Sequence, residues 1–349
     1  MDPIKVGVIG CGYWGPNLIR NFVELSTSDV LAVADLREER LAHIKCRYPN
    51  ITTTQDYRDL FHMPVDAVAV TTPPATHFSI ALDCLQHDRH VLVEKPLTLS
   101  SHDAQDLIEV AETRGLTLMV GHTFEYNPAV QRLKEIIESG ELGKVLYVDS
   151  ARLNLGLFQR DLNVLWDLAP HDLSILRYIL GRDPISVRAQ GAANIFKGKY
   201  DIVYLTLQFP DDILAHVHVS WLDPRKIRCI TVVGSQKMVV YDDVEALEKI
   251  KIYDKGVEAP PYTDTFGDFQ CSYRYGDVLI PNIRFVEPLR LECQHFLDCI
   301  ANRAKPQSCG RVGLEVVKVL EMAERSLQNG GGKEMILVEE SNVREHAAA

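Results

Sequence analysis

No stretch of the 349-residue sequence sustains the apolar run of roughly 18 residues that a membrane-spanning helix requires. The chain opens directly into a strand-like run, with neither a charged segment nor an apolar one of the kind that directs export, and the expected location is the cytoplasm. Cysteine is sparse: eight residues, at 11, 46, 84, 229, 271, 293, 299 and 309, include no C-x-x-C pair. That argues against a disulfide scaffold, and the thiols are read as reduced. Positive charge is also short. With 37 Lys and Arg against 48 Asp and Glu the formal charge is −11, which disfavours nucleic acid or an anionic membrane as partner and leaves only local basic residues for an anionic substrate. Internal repeats and low-complexity segments are missing, and the last six residues, 344–349, read as a frayed tail or a cloning scar. What is present is an ordinary globular composition, 46% apolar and 24% charged, in a chain too long for one comfortable core, so two domains are expected.

The first domain is announced by Gly10-Cys11-Gly12-Tyr13-Trp14-Gly15, which directly follows the apolar run 4–9; Asp35 then closes a second apolar run, 30–34, twenty residues beyond Gly15. Strand before, helix after and acid at that distance form a dinucleotide-binding pattern. Its glycines serve a tight turn, close approach of backbone to a pyrophosphate, and close packing of helix on sheet. The helix aims its N–H groups and positive end at the phosphates. Gly10, Gly12, Tyr13, Trp14 and Gly15 are therefore candidate cofactor contacts. The Asp35 carboxylate can accept from both adenosine ribose hydroxyls and repels a 2′-phosphate, which favours NAD over NADP. Arg37, two residues on, works against that preference by offering a 2′-phosphate a partner.

Residues 4–123 alternate β-rich runs with helical ones. Strands are expected at 5–9, 30–34, 67–71, 90–93 and 117–120, and helices at 15–25, 75–87 and 100–114, the last with Ser100 and Asp103 as its cap signal. Such alternation gives an α/β fold with a Rossmann-type doubly wound parallel sheet over residues 1–123. Ligands of such sheets bind at the strand C-terminal ends, beside which Thr72, Pro73, Glu94 and Lys95 fall. From 124 to 340 the pattern changes. A linking helix at 128–139 precedes period-two runs at 201–209 and 213–221, joined by Pro210-Asp211-Asp212, and a further hairpin at 230–233 and 238–241. This is an α+β domain with a mainly antiparallel open sheet. A free sheet face suits another subunit, so a homodimer or homotetramer is expected. Amphipathic helices at 289–300 and 312–327 follow.

Three further segments carry candidate chemistry: Thr72-Pro73-Pro74-Ala75-Thr76-His77, Val93-Glu94-Lys95-Pro96, and Trp166-Asp167-Leu168-Ala169-Pro170-His171-Asp172. With the glycine turn they resemble the Gfo/Idh/MocA oxidoreductase family, over residues 4–327. The resemblance implies an N-terminal Rossmann domain, a C-terminal domain whose open sheet serves oligomerisation, and hydride transfer between a nicotinamide and a sugar or polyol carbon. It also implies that Lys95 orients the nicotinamide region and polarises the reacting oxygen, that His171 accepts its proton, that Asp167 contacts or orients a substrate hydroxyl, and that His77 and Glu94 lie near the cofactor. Taken alone, Asp167 and His171 are four residues apart around a helix start and can share a face. Asp167 could equally cap that helix, and His171 fill space beside Leu168 and Ile175. A lysine ammonium suits charge stabilisation, and an imidazole suits proton transfer near neutral pH. His216 and His218 alternate on one strand without a third ligand at a metal-site spacing, so no metal is expected.

In the C-terminal half, Tyr273-Arg274-Tyr275-Gly276-Asp277, Pro281, Glu287-Pro288-Leu289 and His295-Phe296 resemble family members acting on nucleotide-activated sugars, namely UDP-N-acetylglucosaminuronate 3-dehydrogenases and related 3-ketosugar reductases. That implies chemistry at a C3 hydroxyl, with Arg152, Arg160 and Arg274 available to a diphosphate. Asn127-Pro128 departs from the arginine-containing version of that segment in sugar-reducing relatives. The alternatives are an inositol or free-sugar dehydrogenase and, in a different class, a non-catalytic dinucleotide-sensing regulatory protein, which would be expected to have lost Lys95 or His171.

Overall fold

The N-terminal apolar run forms β1 (Ile4–Ile9), and alternation continues through α1 (Gly15–Glu24), β2 (Ser28–Ala34), α2 (Glu38–Arg47), β3 (Thr52–Thr54), β4 (Ala67–Val70), α3 (His77–Gln86), β5 (His90–Glu94), α4 (Ser101–Arg114) and β6 (Leu118–Gly121). The structure, a computed structural model, describes residues 2–156, 158–159, 161–258 and 271–336. The six strands pair in parallel in the order β3-β2-β1-β4-β5-β6. Val6, Val8, Val68, Val70, Val91 and Val93 are fully buried, because helices cover both faces of such a sheet and its inner strands are near-continuous apolar runs. Strand order reverses between β1 and β4, the switch point at which doubly wound sheets take ligands.

Two elements of this unit have no counterpart in the sequence reading. α2 buries only Leu41 and Ile44, and β3 is three threonines, so neither has an apolar period to read. The helix expected at 75–87 opens with a 3-10 turn, Pro74–Thr76, before α3 begins. Ser100 occupies the N-cap of α4 but makes no side-chain cap bond. Glu321 Oε1 accepts the Ser101 N–H instead, at 2.9 Å, a cap supplied from 220 residues away.

The second run of elements comprises α5 (Pro128–Glu138), β7 (Val145–Leu155), α6 (Val164–Leu180), β8 (Ser186–Ala192), β9 (Ile202–Gln208), β10 (Leu214–Ser220), β11 (Leu222–Gly234), β12 (Met238–Asp242), β13 (Ile250–Glu258), β14 (Ser272–Leu279), α7 (Pro288–Asn302), α8 (Gly310–Gln328) and β15 (Glu334–Met335). Among the described residues nine strands form one sheet in the order β14-β13-β12-β11-β7-β10-β9-β8-β15. Among the described pairings only β7 with β10 is parallel. Val203, Leu205, Leu207, Ala215, Val217 and Val219 are buried on the face packed against α6. Tyr147, Tyr204 and Leu214 leave the opposite face exposed, where His216 and His218 stack on Tyr204 with centroids 5.9 and 4.2 Å away. Among the described residues no helix is long and apolar enough to cross a membrane, and all eight cysteines are free.

The chain divides into two compact units, Met1–Asn127 with Val286–Glu321, and Pro128–Phe285 with the chain from Met322 onward. The expected division at 123/124 assigned everything later to the second domain. In the structure α7 instead shares the core of the first unit, with Leu289, Cys293, Phe296 and Leu297 packed among Leu18, Ile19 and Phe22 of α1. An amphipathic stripe shows that a helix has a partner and not which one.

Candidate active site

The glycine turn is fixed from both sides. Gly10 donates its N–H to Ala34 O at the end of β2 at 2.7 Å, and Thr71 Oγ1, just past β4, donates to Gly10 O at 2.6 Å. Gly10 has φ +100°, and a Cβ there would lie 2.8 Å from the Thr71 carbonyl; a Cβ at Gly15 would collide with the Gly10 carbonyl oxygen. Both glycines are therefore required by the turn itself. Gly12 is different, since the heavy atom nearest its missing Cβ is Arg40 Nη1, 3.9 Å away. α1 has no side-chain cap and no acid in its first turn, which leaves its positive end uncompensated. A turn with room at its middle glycine beside an uncompensated helix start fits a pyrophosphate. Tyr13 and Trp14 meet edge to face at 5.6 Å, Tyr13 largely exposed and Trp14 partly so.

Asp35 is buried at the end of β2. Its Oδ2 accepts the Cys11 N–H at 2.6 Å and an N–H of Arg40 at 3.2 Å, while Oδ1 accepts the Arg37 N–H at 2.9 Å. Burial, with the Asp35 carboxylate adding to it, pushes the Cys11 thiol up to about 12, so this cysteine is a packing group and not a reactive one.

Beyond β4 and β5 lie Thr72, Pro73, Glu94 and Lys95. His77 ties these two segments together. It is fully buried, with Nδ1 2.8 Å from Pro96 O and Nε2 2.8 Å from Thr72 O, and burial holds its pKa below the usual imidazole value. It braces the segments and presents no exposed ring atom. Thr72 Oγ1 accepts from Thr76 Oγ1 at 2.8 Å. The Lys95 N–H donates to Glu94 Oε2 at 3.3 Å. Burial raises the Glu94 carboxyl to about 7 against the opposing pull of the Lys95 ammonium. Glu292 of α7, unremarked in the sequence, is fully buried, accepts from Thr123 Oγ1 at 2.8 Å through Oε2, and has no hydrogen-bond partner at Oε1 among the described residues. Burial first, and the charge of Glu94 second, push it well above the carboxylate range.

In the second unit α6 carries Asp167 in its first turn and His171 one turn on. Asn163, not Asp167, caps the helix, its Oδ1 accepting the Trp166 N–H at 3.3 Å. Asp167 Oδ2 instead accepts the indole N–H of Trp221 at 3.0 Å. Trp221 is buried against Phe158, with ring centroids 5.1 Å apart. Two of the arginines expected to meet a diphosphate are otherwise engaged. Arg152 is buried in a pair with Asp172, Nε to Oδ2 2.6 Å, which Ser150 Oγ joins at 2.8 Å. Arg274 Nε donates to Asp254 Oδ1 at 3.0 Å. Sequence gives neither burial nor a partner 20 residues away, so it cannot tell these arginines from available ones; Arg160 and the segment 344–349 lie outside the described residues. Among those described, no group of three or more His, Cys, Asp or Glu is placed to hold a metal ion.

A parallel sheet with a glycine turn at its switch point, an acid ending β2 and a lysine just past β5 defines a dinucleotide-binding Rossmann protein. Residues 4–122 match the Gfo/Idh/MocA oxidoreductase family, NAD-binding Rossmann fold, and residues 130–240 match the Gfo/Idh/MocA C-terminal domain. The chain belongs to this family of oxidoreductases. It is 28% identical to the UDP-N-acetylglucosamine 3-dehydrogenase of Acidithiobacillus ferrooxidans, over 87% of this chain and 94% of the relative. It is 27% identical to the myo-inositol 2-dehydrogenase of Thermotoga maritima, over 82% of this chain and 90% of the relative. The solved structure of UDP-N-acetylglucosamine 3-dehydrogenase GnnA from Acidithiobacillus ferrooxidans matches with a TM-score of 0.78 at 25% identity, covering 94% of this chain and 99% of that one.

Proposed function

We propose that the protein is an NAD-preferring sugar dehydrogenase or ketoreductase acting at a secondary hydroxyl, with C3 of a nucleotide-activated sugar as the first choice of substrate. The observation that supports it most is the row of Gly10 to Gly15, Asp35, Thr72 and Lys95 just beyond the C-terminal ends of β1, β2, β4 and β5, combined with Asp167 and His171 one turn apart on α6. A bound nicotinamide supplies the hydride acceptor or donor. In this reading Lys95 stabilises negative charge on the reacting oxygen, His171 takes its proton, and Asp167, steadied by the Trp221 indole, orients a substrate hydroxyl. The Asp35 carboxylate favours the unphosphorylated ribose of NAD.

The relative acting on UDP-N-acetylglucosamine supports a nucleotide-linked substrate. An inositol or free sugar is the second reading, favoured by the engagement of Arg152 and Arg274 with Asp172 and Asp254, which removes two cations from a diphosphate. Thermal stabilisation by UDP-sugars against inositols separates the two, because a ligand that binds the folded state alone raises its stability. Stabilisation by UDP-N-acetylhexoses supports the first choice, and stabilisation by inositols without response to any nucleotide sugar overturns it. The exposed sheet face bearing Tyr147, Tyr204 and Leu214 supports assembly as a homodimer or homotetramer, which a monomer in sedimentation would refute.

A further inference from the structure

An acid at the end of the second strand of a Rossmann sheet meets the adenosine ribose, and Asp35 holds that position together with a cation. The Arg40 guanidinium, reaching from the first turn of α2, lies 3.2 Å from Asp35 Oδ2. The same Nη1 is the heavy atom nearest the Cβ that Gly12 lacks, at 3.9 Å. One positive group therefore extends from the glycine turn to the ribose acid, which is the path a dinucleotide takes from pyrophosphate to adenosine. Arg37, the cation that sequence position suggests, meets Asp35 through its backbone N–H, and its side chain is exposed.

We propose that Arg40, and not Arg37, sets how well this site tolerates a 2′-phosphate. The inference rests on the reading that the turn at Gly10 to Gly15 binds a dinucleotide. In the free protein Arg40 neutralises Asp35, whose Oδ2 also accepts the Cys11 N–H. A 2′-phosphate brought beside Asp35 alone would face repulsion between like charges. Arg40 offsets part of it, so that NAD stays preferred while NADP is tolerated, since a guanidinium has five N–H donors and can hold phosphate oxygens in a fork while staying beside the carboxylate. Its side chain is 37% exposed, which leaves it free to turn. Toward NAD the same group acts in the opposite sense, because it competes with the ribose hydroxyls for Oδ2. Deleting Arg40 should therefore move the two affinities apart, which a loss of fold would not do.

The test is the dissociation constant of NADH and of NADPH, read from protein fluorescence quenching and nicotinamide energy transfer at fixed ionic strength, for the parent, R40A, R40K and R37A. The expected result is that R40A weakens NADPH by about tenfold or more while NADH is unchanged or tighter. R40K should recover part of the loss by charge alone, and R37A should alter either affinity by less than about twofold. Equal weakening of both dinucleotides in R40A would make Arg40 a structural residue and overturn the proposal, as would a selective NADPH loss in R37A. A parent that binds both while R40A changes neither overturns the role of Arg40 and leaves the dinucleotide reading standing. A parent that binds neither overturns that reading, and the role of Arg40 with it.

Discussion

Replacing Gly12 with alanine separates what the fold needs from what a ligand needs. The new methyl would meet only Arg40 Nη1, at 3.9 Å, and Gly12 is not among the glycines with left-handed backbone. Stability should therefore change by no more than about 0.5 kcal/mol, the range of a substitution that neither clashes nor strains. For a domain of this size that is a shift in Tm of roughly 1–2 °C. Gly15→Ala is the contrast, because its methyl collides with the Gly10 carbonyl and sits 3.1 Å from Thr71 Oγ1; overpacking of that kind costs about 1–3 kcal/mol. The ligand sees the reverse. A methyl at Gly12 holds a pyrophosphate off the turn and weakens charge-assisted N–H to phosphate bonds worth about 1.5–3 kcal/mol each, so NADH should bind roughly 10- to 100-fold more weakly. Thermal melts followed by circular dichroism give the first quantity and fluorescence titration with NADH the second. Parental NADH affinity in a folded Gly12→Ala protein would refute close approach of the pyrophosphate at this residue.

Two further outcomes follow from buried charge. Glu94, raised to about 7 from 4.5 chiefly by burial, contributes stability that is fully present below pH 4.5 and is lost as pH rises through 7. Glu94→Gln should therefore gain on the parent across that window by up to about 3 kcal/mol, read from denaturant midpoints at pH 5 and pH 8, and parallel curves would contradict it. Arg152→Met leaves Asp172 buried without its cation and should cost about 3–5 kcal/mol, much of it recovered by adding Asp172→Leu; near-parental stability of the single variant would show that the pair is not held as described.

What the sequence disclosed was local. Gly10, Gly15 and Asp35 could be read because their tasks depend on spacing within one strand-turn-helix unit, and the parallel sheet followed from alternation. β7 escaped notice because its inward positions include Ser150 and Arg152, both bonded to Asp172 of α6, so a buried strand face carries polar residues and the apolar alternation breaks. Arg40, Trp221 and Glu292 escaped for another reason. Their significance lies in contacts with Asp35, Asp167 and Thr123, and no spacing rule joins residues that meet only after folding. Trp221 had one signal, an aromatic closing a strand with a free indole N–H to satisfy. The pairing of α7 with α1 was equally hidden, since the stripe containing Leu289, Cys293 and Phe296 would suit any apolar surface.

If Lys95 and His171 act in hydride transfer to or from a sugar hydroxyl, turnover and dinucleotide binding must respond differently to their loss. The appearance or loss of NADH absorbance should be followed with the sugar that stabilises the protein, for the parent, Lys95→Ala and His171→Ala, with NADH affinity titrated in parallel. Lys95→Ala should lower kcat by a factor on the order of 10² or more with dinucleotide affinity largely intact, because the pyrophosphate is held at the glycine turn. His171→Ala should lower kcat and flatten the acidic limb of its pH profile. Near-parental turnover in both variants would contradict catalysis by Lys95 and His171 and favour a dinucleotide-sensing protein.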